Sequence, residues 1–189
     1  MRFDEGLHGR IAYVEASPAH GRPKQIVAVL KLPRSLDSAD IEEHRREAEL
    51  HMSLADTAAV RNGYVVRPLA FTTVRSLTNE VPALVLEYVG ASNAASLDDK
   101  TSKAPCTTAR ARACFEALHA EGTVHGDVSM YNLLVPRPCE SAAGSADQLK
   151  LADLEDAKRP NKQDGPDAIA AEWAEVLKMF PRASHDSLS

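Results

Sequence analysis

Three polar side chains stand close together in the segment VHGDVSMYNLLV, residues 124–135. His125, Asp127 and Asn132 follow the spacing H-x-D-x-x-x-x-N, and an apolar run comes directly after them. A carboxylate can accept a proton, and carboxylate and amide oxygens are ligands for hard cations. A loop flanked this tightly by apolar segments is predicted to be rigid, which suits a site of chemistry. The alternative is that Asp127 and Asn132 only satisfy a turn.

Two further charged residues adjoin predicted strands. Lys31 follows the apolar run IVAVL, and Asp153 follows the short strand candidate LKLA. An ordinary lysine at a strand end is the alternative for Lys31. The chemistry therefore depends on which elements hold these residues and whether those elements bring them together.

The composition limits the kinds of partner. The chain has 189 residues, which suits one domain or two small lobes that share a cleft. Hydrophobic residues make up 44% and charged residues 26%, the ordinary balance of a soluble globular protein. The net charge of −5 gives no support for a nucleic-acid or membrane partner, since both favour basic surfaces.

The cysteines indicate a reducing compartment. Cys106, Cys114 and Cys139 are odd in number and match no metal-site spacing, so we expect reduced thiols. The N-terminus lacks the hydrophobic core of a signal peptide, and no apolar run is long enough to span a bilayer. These features predict a cytoplasmic or nuclear protein.

The first half is predicted to contain strands and one helix. The predicted strands are 9–16, 25–32, 64–74 and 82–89, with a turn at 21–24. Pro68 predicts that the third strand is bent or lies at an edge. The helix is predicted over 38–58, with Asp40 as its cap and Glu43 three residues later. Its apolar face is predicted to be Ile41, Ala48, Met52 and Ala55.

The second half is predicted to be mainly helical. Residues 90–105 are small and polar and are predicted to be a linker between lobes. Helices are expected over 106–122, ended by Gly122, and over 165–180, with Pro166 near its start. The remaining segments are a flexible insertion at 136–148, a short strand within 149–157 and a disordered tail at 181–189.

This order of elements and motifs resembles the protein-kinase-like superfamily. The catalytic loop of that family reads H-R-D-x-x-x-x-N, and D-F-G follows a short strand. Here the two motifs read His125-Gly126-Asp127, with Asn132, and Asp153-Leu154-Glu155. The resemblance extends from about residue 9 to about residue 157.

The resemblance implies an α+β fold with two lobes. The N-lobe, 1–89, would be a small antiparallel sheet with one helix, and 90–105 would be the hinge and linker. Residues 106–180 would form a reduced helical C-lobe, followed by the tail.

The resemblance also implies ATP and Mg²⁺ as cofactors. Asp127 would orient the accepting hydroxyl and take its proton, and Asn132 and Asp153 would bind magnesium. We expect His125 to be a scaffold that hydrogen-bonds the loop backbone.

In the upper lobe the resemblance assigns two groups of residues. Lys31 would reach the α- and β-phosphates and pair with a helix glutamate, for which Glu47 fits best and Glu43 and Glu49 are the alternatives. The segment LVLEYVG resembles the strand and hinge that receive adenine, with Leu86 as gatekeeper and the backbone of Glu87 and Val89 on the purine edge. The same apolar strand is also consistent with plain core.

Four departures from the family pattern stand out. Only Gly6 and Gly9 occupy the phosphate-loop region, so the first strand is expected to be short or missing. Gly126 replaces the usual arginine, Ser129 replaces a common lysine, and Leu154-Glu155 replaces Phe-Gly. H-G-D is similar to compact atypical kinases of the RIO type and to fungal kinase-like proteins. Glu172-Trp173 echoes the D-x-W of the family's long central helix and is not counted among the site residues.

The leading hypothesis is a small atypical kinase that acts on Ser or Thr of a protein. A pseudokinase that serves as a nucleotide-sensing or scaffold module is one alternative, and the departures favour it. A small-molecule kinase of the aminoglycoside or choline type is the other, although residues 90–124 leave little room for an acceptor pocket.

Overall fold

The computed structural model describes residues 2–6, 9–16, 25–75, 80–90, 92–97, 105–136 and 149–181. The chain divides into two compact units. Unit 1 comprises Met1–Ala55 and Arg67–Tyr88, and unit 2 comprises Asp56–Val66 and Val89–Ser189. The described part is α+β, as predicted, with a small antiparallel sheet and a few helices.

Unit 1 is built on a five-stranded antiparallel sheet in the order β1-β2-β3-β5-β4. Its strands are β1 Arg2–Gly6, β2 Gly9–Ala16, β3 Gln25–Leu32, β4 Pro68–Arg75 and β5 Glu80–Glu87. The bounds of β2 and β3 match the prediction. A short first strand is present and pairs with β2 up to Gly6 and Gly9. Pro68 begins the edge strand β4, where the register shifts between Pro68 and Ala70.

The helix of unit 1, α1, spans Ser38–Leu54, so the predicted end at residue 58 is wrong. The predicted cap, Asp40, is also wrong. Asp37 precedes the helix with extended backbone, and its Oδ1 accepts hydrogen bonds from Ala39 N at 3.0 Å and Asp40 N at 2.9 Å. A cap needs this non-helical backbone, and Asp40 already lies inside the first turn.

The buried face of α1 differs from the predicted apolar face. The buried residues are His44, Glu47, Ala48, His51 and Leu54. Met52 is 39% exposed, so its predicted place in the core is wrong. Three of these five residues are polar, so the spacing of apolar residues alone predicted the wrong buried face of α1.

The two faces of β3 have different roles. Leu30 packs in a buried cluster with Ala12 and Ala83, each from a different strand of the sheet. Side chains alternate along a strand, so the next residue, Lys31, points to the opposite face. This is the face on which α1 lies, because the Lys31 ammonium bonds to a residue of α1.

The described part of unit 2 contains three α-helices and a three-stranded antiparallel sheet. The helices are α2 Ala58–Arg61, α3 Pro105–Ala120 and α4 Gly165–Met179, and the strands are β6 Ser92–Asn93, β7 Leu133–Val135 and β8 Lys150–Leu151. The order of the sheet is β6-β7-β8. α3 and α4 lie close to their predicted bounds, and Gly122 follows α3 with a φ of 69°.

The segment 90–105 is not a bare linker in its described part. Ser92 and Asn93 pair with β7, and a 3-10 turn follows at Ala94–Ser96. The Asn93 side chain accepts a hydrogen bond from Ser96 N at 3.2 Å, which caps this turn. Ala94 is 1% exposed. This segment is therefore structured because Asn93 caps the 3-10 turn and Ala94 is small enough to be buried.

The core of unit 2 lies between α3 and the small sheet. Its fully buried large side chains include Phe115, Leu118, Leu133, Leu149, Leu151 and Leu154. Cys114 is a free buried thiol, and burial raises its pKa to about 12 while the charge of Arg110 opposes the rise.

Several predictions fall outside the described residues. They concern the turn at 21–24, the insertion at 137–148, the tail at 182–189, and the thiol groups of Cys106 and Cys139. No described helix is both long enough and apolar enough to cross a membrane.

Candidate active site

Lys31 and Glu47 form a buried ion pair in unit 1. Lys31 Nζ lies 2.7 Å from Glu47 Oε1. The two residues are 8% and 3% exposed. Of the three glutamates considered as partners, Glu47 is the one that pairs, whereas Glu49 is exposed to solvent. The pairing of Lys31 with Glu47, which the resemblance implied, is thus observed in the structure.

Two histidines complete the surroundings of this carboxylate. His44 Nδ1 lies 3.8 Å from Glu47 Oε2, and His51 Nε2 lies 3.8 Å from Glu47 Oε1. Burial by itself raises the pKa of Glu47, but His44, the positive charge of Lys31 and His51 together lower it to about 2. The sequence reasoning missed these histidines. The sequence feature that could have identified them is the spacing H-x-x-E-x-x-x-H, which places all three residues on one face of the helix.

His125 is a structural part of the loop in unit 2. It is fully buried, and its Nδ1 accepts a hydrogen bond from Asp127 N at 3.3 Å. Its Nε2 therefore carries the hydrogen and donates to Ala152 O at 2.9 Å. The expectation that this ring hydrogen-bonds the loop backbone is confirmed. The bond also ties the loop to the strand end that leads to Asp153.

Asp127 and Asn132 are directly bonded to each other. Asn132 Nδ2 donates to Asp127 Oδ2 at 2.8 Å and to Asp127 O at 3.2 Å. Asn132 is buried at the end of a 3-10 turn, Met130–Asn132, which Ser129 caps by accepting from Tyr131 N. The amide nitrogen faces Asp127, so the amide oxygen faces the other way. The turn therefore orients one carboxylate and one amide oxygen.

Asp153 lies beside this pair along the main chain. Ala152 N donates to Asn132 O at 2.8 Å, so the backbones of the two predicted metal ligands are neighbours. Asp153 has a φ of 58°, the left-handed region that residues other than glycine seldom adopt. Such strained positions concentrate at functional sites, which supports Asp153 as a functional residue.

The oxygen donors of Asn132 and Asp153 fit a magnesium ion. Magnesium prefers oxygen ligands and is usually held by one or two protein groups together with phosphate oxygens. Among the described residues, no group of three or more His, Cys, Asp or Glu side chains is arranged to hold a metal ion. The binding of magnesium by Asn132 and Asp153 stays a prediction.

Gly126 stands at the position where the protein-kinase-like pattern has arginine, and its surroundings leave no room for a side chain. Its φ is 85°, and a Cβ built at this position would lie 2.5 Å from Asp156 O. No side chain fits without moving the backbone of residue 156. The glycine is therefore required by this close approach of two loop segments.

Glu172, on α4, holds the same loop from the other side. Its Oε1 accepts from Gly126 N at 2.6 Å, and its Oε2 accepts from His125 N at 3.0 Å. His119 Nε2 lies 2.5 Å from the same Oε2. Burial alone raises the pKa of Glu172, but the bonds from His119 and the two loop N–H groups bring it below the usual range.

Sequence reasoning did not include Glu172 in the site. The available signal was the Glu172-Trp173 pair, in which the acidic residue stands next to the tryptophan and not two positions before it, as in D-x-W. Because of this shift by one residue, Glu172 was not included in the predicted site. In the structure Glu172 positions the loop, since its carboxylate accepts hydrogen bonds from two consecutive backbone N–H groups.

The predicted hinge residues lie at the end of β5 and just after it. Leu86 is 8% exposed and stands opposite Val29 of β3. The Glu87 side chain accepts from Arg67 N at 2.8 Å, and Glu87 N donates to Arg67 O at 3.0 Å. Val89 is half-buried and belongs to unit 2. The role of these residues in binding a purine stays a prediction.

The structure thus assembles two local groups. In unit 1, Lys31 meets Glu47, and in unit 2, Asp127 meets Asn132 beside the backbone that leads to Asp153. Comparison of the chain with models of known protein families and with curated proteins found no match. The functional assignment therefore depends on the geometry of these residues.

Proposed function

We propose that this chain is a compact atypical kinase with the two-lobed protein-kinase-like fold. It transfers the γ-phosphoryl group of ATP to a hydroxyl, with Ser or Thr of a protein as the favoured acceptor. The observation that carries the proposal is the buried Lys31–Glu47 pair. A buried ion pair contributes little net stability, because removing both charges from water is costly. The buried Lys31–Glu47 pair therefore needs an explanation other than stability. Its explanation in this proposal is that a fixed ammonium group can bind phosphate oxygens.

The groups of unit 2 support the same proposal. Asp127 accepts the proton of the attacking hydroxyl, and its carboxylate is oriented by Asn132 Nδ2. Asn132 and Asp153 hold magnesium, which supplies charge neutralisation for the phosphates when it is bound. Lys31 binds phosphate oxygens, and Glu47 keeps its ammonium in position.

A second candidate function is a kinase-like binding module without transfer activity. One observation favours it. Ser129 stands where many protein kinases place a lysine, and its hydroxyl accepts a hydrogen bond from Tyr131 N at 3.2 Å. The residue thus serves the turn, and its neutral side chain brings no positive charge to a phosphate.

Thermal unfolding with ATP, with and without Mg²⁺, tests the binding step. A ligand at about 100 times its dissociation constant stabilises the folded state by about 2.7 kcal/mol, which raises the melting temperature by several degrees. Asp153→Ala is expected to lose the magnesium-dependent part of this rise. Asp167→Ala is the matched control, because Asp167 is an exposed carboxylate on α4 outside the proposed site.

Transfer is tested separately with radiolabelled ATP. Asp127→Asn is expected to retain nucleotide binding and to lose transfer to casein-like proteins. ATP binding by the wild type without transfer to any hydroxyl would favour the binding module. Transfer to aminoalcohols or aminoglycosides in place of proteins would identify a small-molecule kinase. A wild-type protein that ignores ATP under all metal conditions would contradict the kinase proposal.

A further inference from the structure

His119, near the end of α3, makes a contact that the proposed reaction does not yet use. Its Nε2 lies 2.5 Å from Glu172 Oε2, and the two side chains are 8% and 7% exposed. The Trp173 ring stands edge-on to the imidazole, with 5.9 Å between ring centroids and an angle of 75°. The histidine is therefore held in place by a hydrogen bond and by packing.

The partner of His119 is the residue that holds the catalytic loop. The Glu172 carboxylate receives three N–H groups, one from His119 and two from the backbone of His125 and Gly126. Asp127 is the next residue along the chain. Gly126 lies against Asp156 O on its other side, so the loop backbone is confined between α4 and the segment after β8.

We propose that His119 is a positioning residue for phosphoryl transfer, which keeps the Glu172 carboxylate aimed at the two loop N–H groups and thereby fixes Asp127. Its effect on transfer rests on the proposed role of Asp127. Its effect on the loop does not, because that effect concerns hydrogen bonds within unit 2 alone. His119 would thus act through Glu172 without touching ATP or the acceptor.

From α3, His119 is the titratable side chain that contacts Glu172. The ring of His125 points away, to Ala152 O, and packs against Phe115. From the segment after β8, Asp156 approaches Gly126 and Arg159 bonds Thr123 Oγ1 at 3.4 Å. On α4 itself the nearest acidic residue towards its C-terminus, Glu175, is exposed.

The pH dependence follows from the lowered pKa of Glu172. Burial opposes ionisation of this carboxyl, while His119 and the two loop N–H groups favour it. A group whose pKa is lowered by folding contributes above its ordinary value of 4.5, and the contribution is lost as the pH falls through the folded-state pKa. In a variant without His119, the pKa of Glu172 is expected to be higher. The carboxylate would then be protonated at a higher pH, and its hydrogen bonds from His125 N and Gly126 N would be weakened there.

Nuclear magnetic resonance of the full ¹⁵N-labelled chain tests the positional part. The amide signals of His125 and Gly126 are followed against pH in the wild type, in His119→Ala and in His119→Gln, which retains an N–H donor but no titratable ring. We expect the midpoint of these two signals to move to higher pH in His119→Ala, with His119→Gln in between. Amide hydrogen exchange at the same positions is expected to be about 10-fold faster in His119→Ala.

Glu116→Ala is the matched control, because Glu116 is an exposed residue one turn earlier on the same helix. It is expected to leave the two amide signals unchanged. If His119→Ala does not fold, the shift in His119→Gln alone decides the question. Midpoints and exchange rates equal to those of the wild type would overturn the positioning role.

Kinetics test the catalytic part. His119→Ala is expected to lower kcat about 10-fold with little change in KM for ATP, and His119→Gln is expected to recover most of the loss. An unchanged kcat in an active enzyme with altered amide signals would overturn the link to transfer. A wild-type protein without transfer activity would contradict the proposed function, and the amide signals would still decide whether His119 holds the loop.

Discussion

One glutamate is buried in the described part of each unit, and the two carboxylates have different partners. Glu47 of unit 1 faces side chains, with Lys31 Nζ at 2.7 Å and two histidines nearby. Glu172 of unit 2 faces mainly backbone, with the N–H groups of His125 and Gly126 at 3.0 Å and 2.6 Å. One carboxylate fixes a charged side chain, and the other fixes the path of the main chain.

This difference determines what a substitution does. Removal of Glu47 takes away the carboxylate that lies 2.7 Å from the buried Lys31 ammonium, which is a large electrostatic cost. Substitutions around Glu172 leave the residues of the loop unchanged but alter the hydrogen bonds that position its backbone. Stability measurements are therefore the sharper probe of unit 1, and loop geometry and catalytic rate are the sharper probes of unit 2.

The largest expected effect is on the ion pair of unit 1. Glu47→Ala is expected to lower the free energy of unfolding by about 3–5 kcal/mol, because the buried Lys31 ammonium loses the carboxylate that lies 2.7 Å from it. Urea unfolding measures the change. The double variant Lys31→Met/Glu47→Leu is expected to recover most of it, and Glu49→Ala, at an exposed position of α1, to stay within about 0.5 kcal/mol of the wild type. A loss below 1 kcal/mol in Glu47→Ala would contradict the buried pair.

The same pair predicts a dependence of stability on acid. Folding lowers the pKa of Glu47 from 4.5 to about 2, so its contribution is complete above 4.5 and is lost as the pH falls towards 2. The difference in unfolding free energy between the wild type and Glu47→Gln should therefore shrink over this range, by on the order of 3 kcal/mol. A difference that stays constant from pH 5 to pH 2.5 would show that Glu47 is not ionised in the native state.

A backbone effect of smaller size is expected in unit 2. Gly126→Ala is expected to cost about 2–3 kcal/mol, because the left-handed backbone is unfavourable for alanine and the new Cβ meets Asp156 O. Gly122→Ala is the matched control. Gly122 has a φ of 69° with no atom within 4 Å of the added Cβ, so only the backbone penalty of about 1 kcal/mol applies. Equal losses in urea unfolding would show that residue 156 does not restrict the loop.

The smallest expected effect concerns a carboxylate in unit 1 that binds backbone N–H groups in solvent. Asp37 caps α1 in this way, and water competes for its oxygens. Asp37→Ala is expected to lower the melting temperature by about 2–4 °C, and Asp40→Ala by less. The reverse order would restore Asp40 as the cap. Comparison with Glu172 variants would show how much burial strengthens this type of contact.

The same distinction explains what could be predicted from the sequence. Lys31 and Glu47 were predicted as partners because the strand and helix around them resemble the kinase pattern, in which a strand lysine pairs with a helix glutamate. Glu172 was passed over because its main partners are backbone N–H groups, which every residue except proline carries. His119 was missed with it, since its significance depends on Glu172.

The fold errors have similar physical causes. Asp40 was predicted as the cap because Glu43 follows it by three residues, as in a capping box, whereas Asp37 has the extended backbone that a cap requires. Met52 was placed in the core because apolar spacing cannot anticipate that three polar residues are buried for a shared charge. β6 was missed because a strand of two residues has no periodicity to detect.

Ala152 has no reactive side chain, yet its main chain makes two hydrogen bonds within unit 2: its N–H donates to Asn132 O, and its carbonyl oxygen accepts from His125 Nε2. Neither bond involves the side chain, so a small residue such as serine can keep both of them. Proline would not, because it lacks the N–H that reaches residue 132. Exchange of alanine for serine at residue 152 would therefore leave this contribution of the main chain undetected.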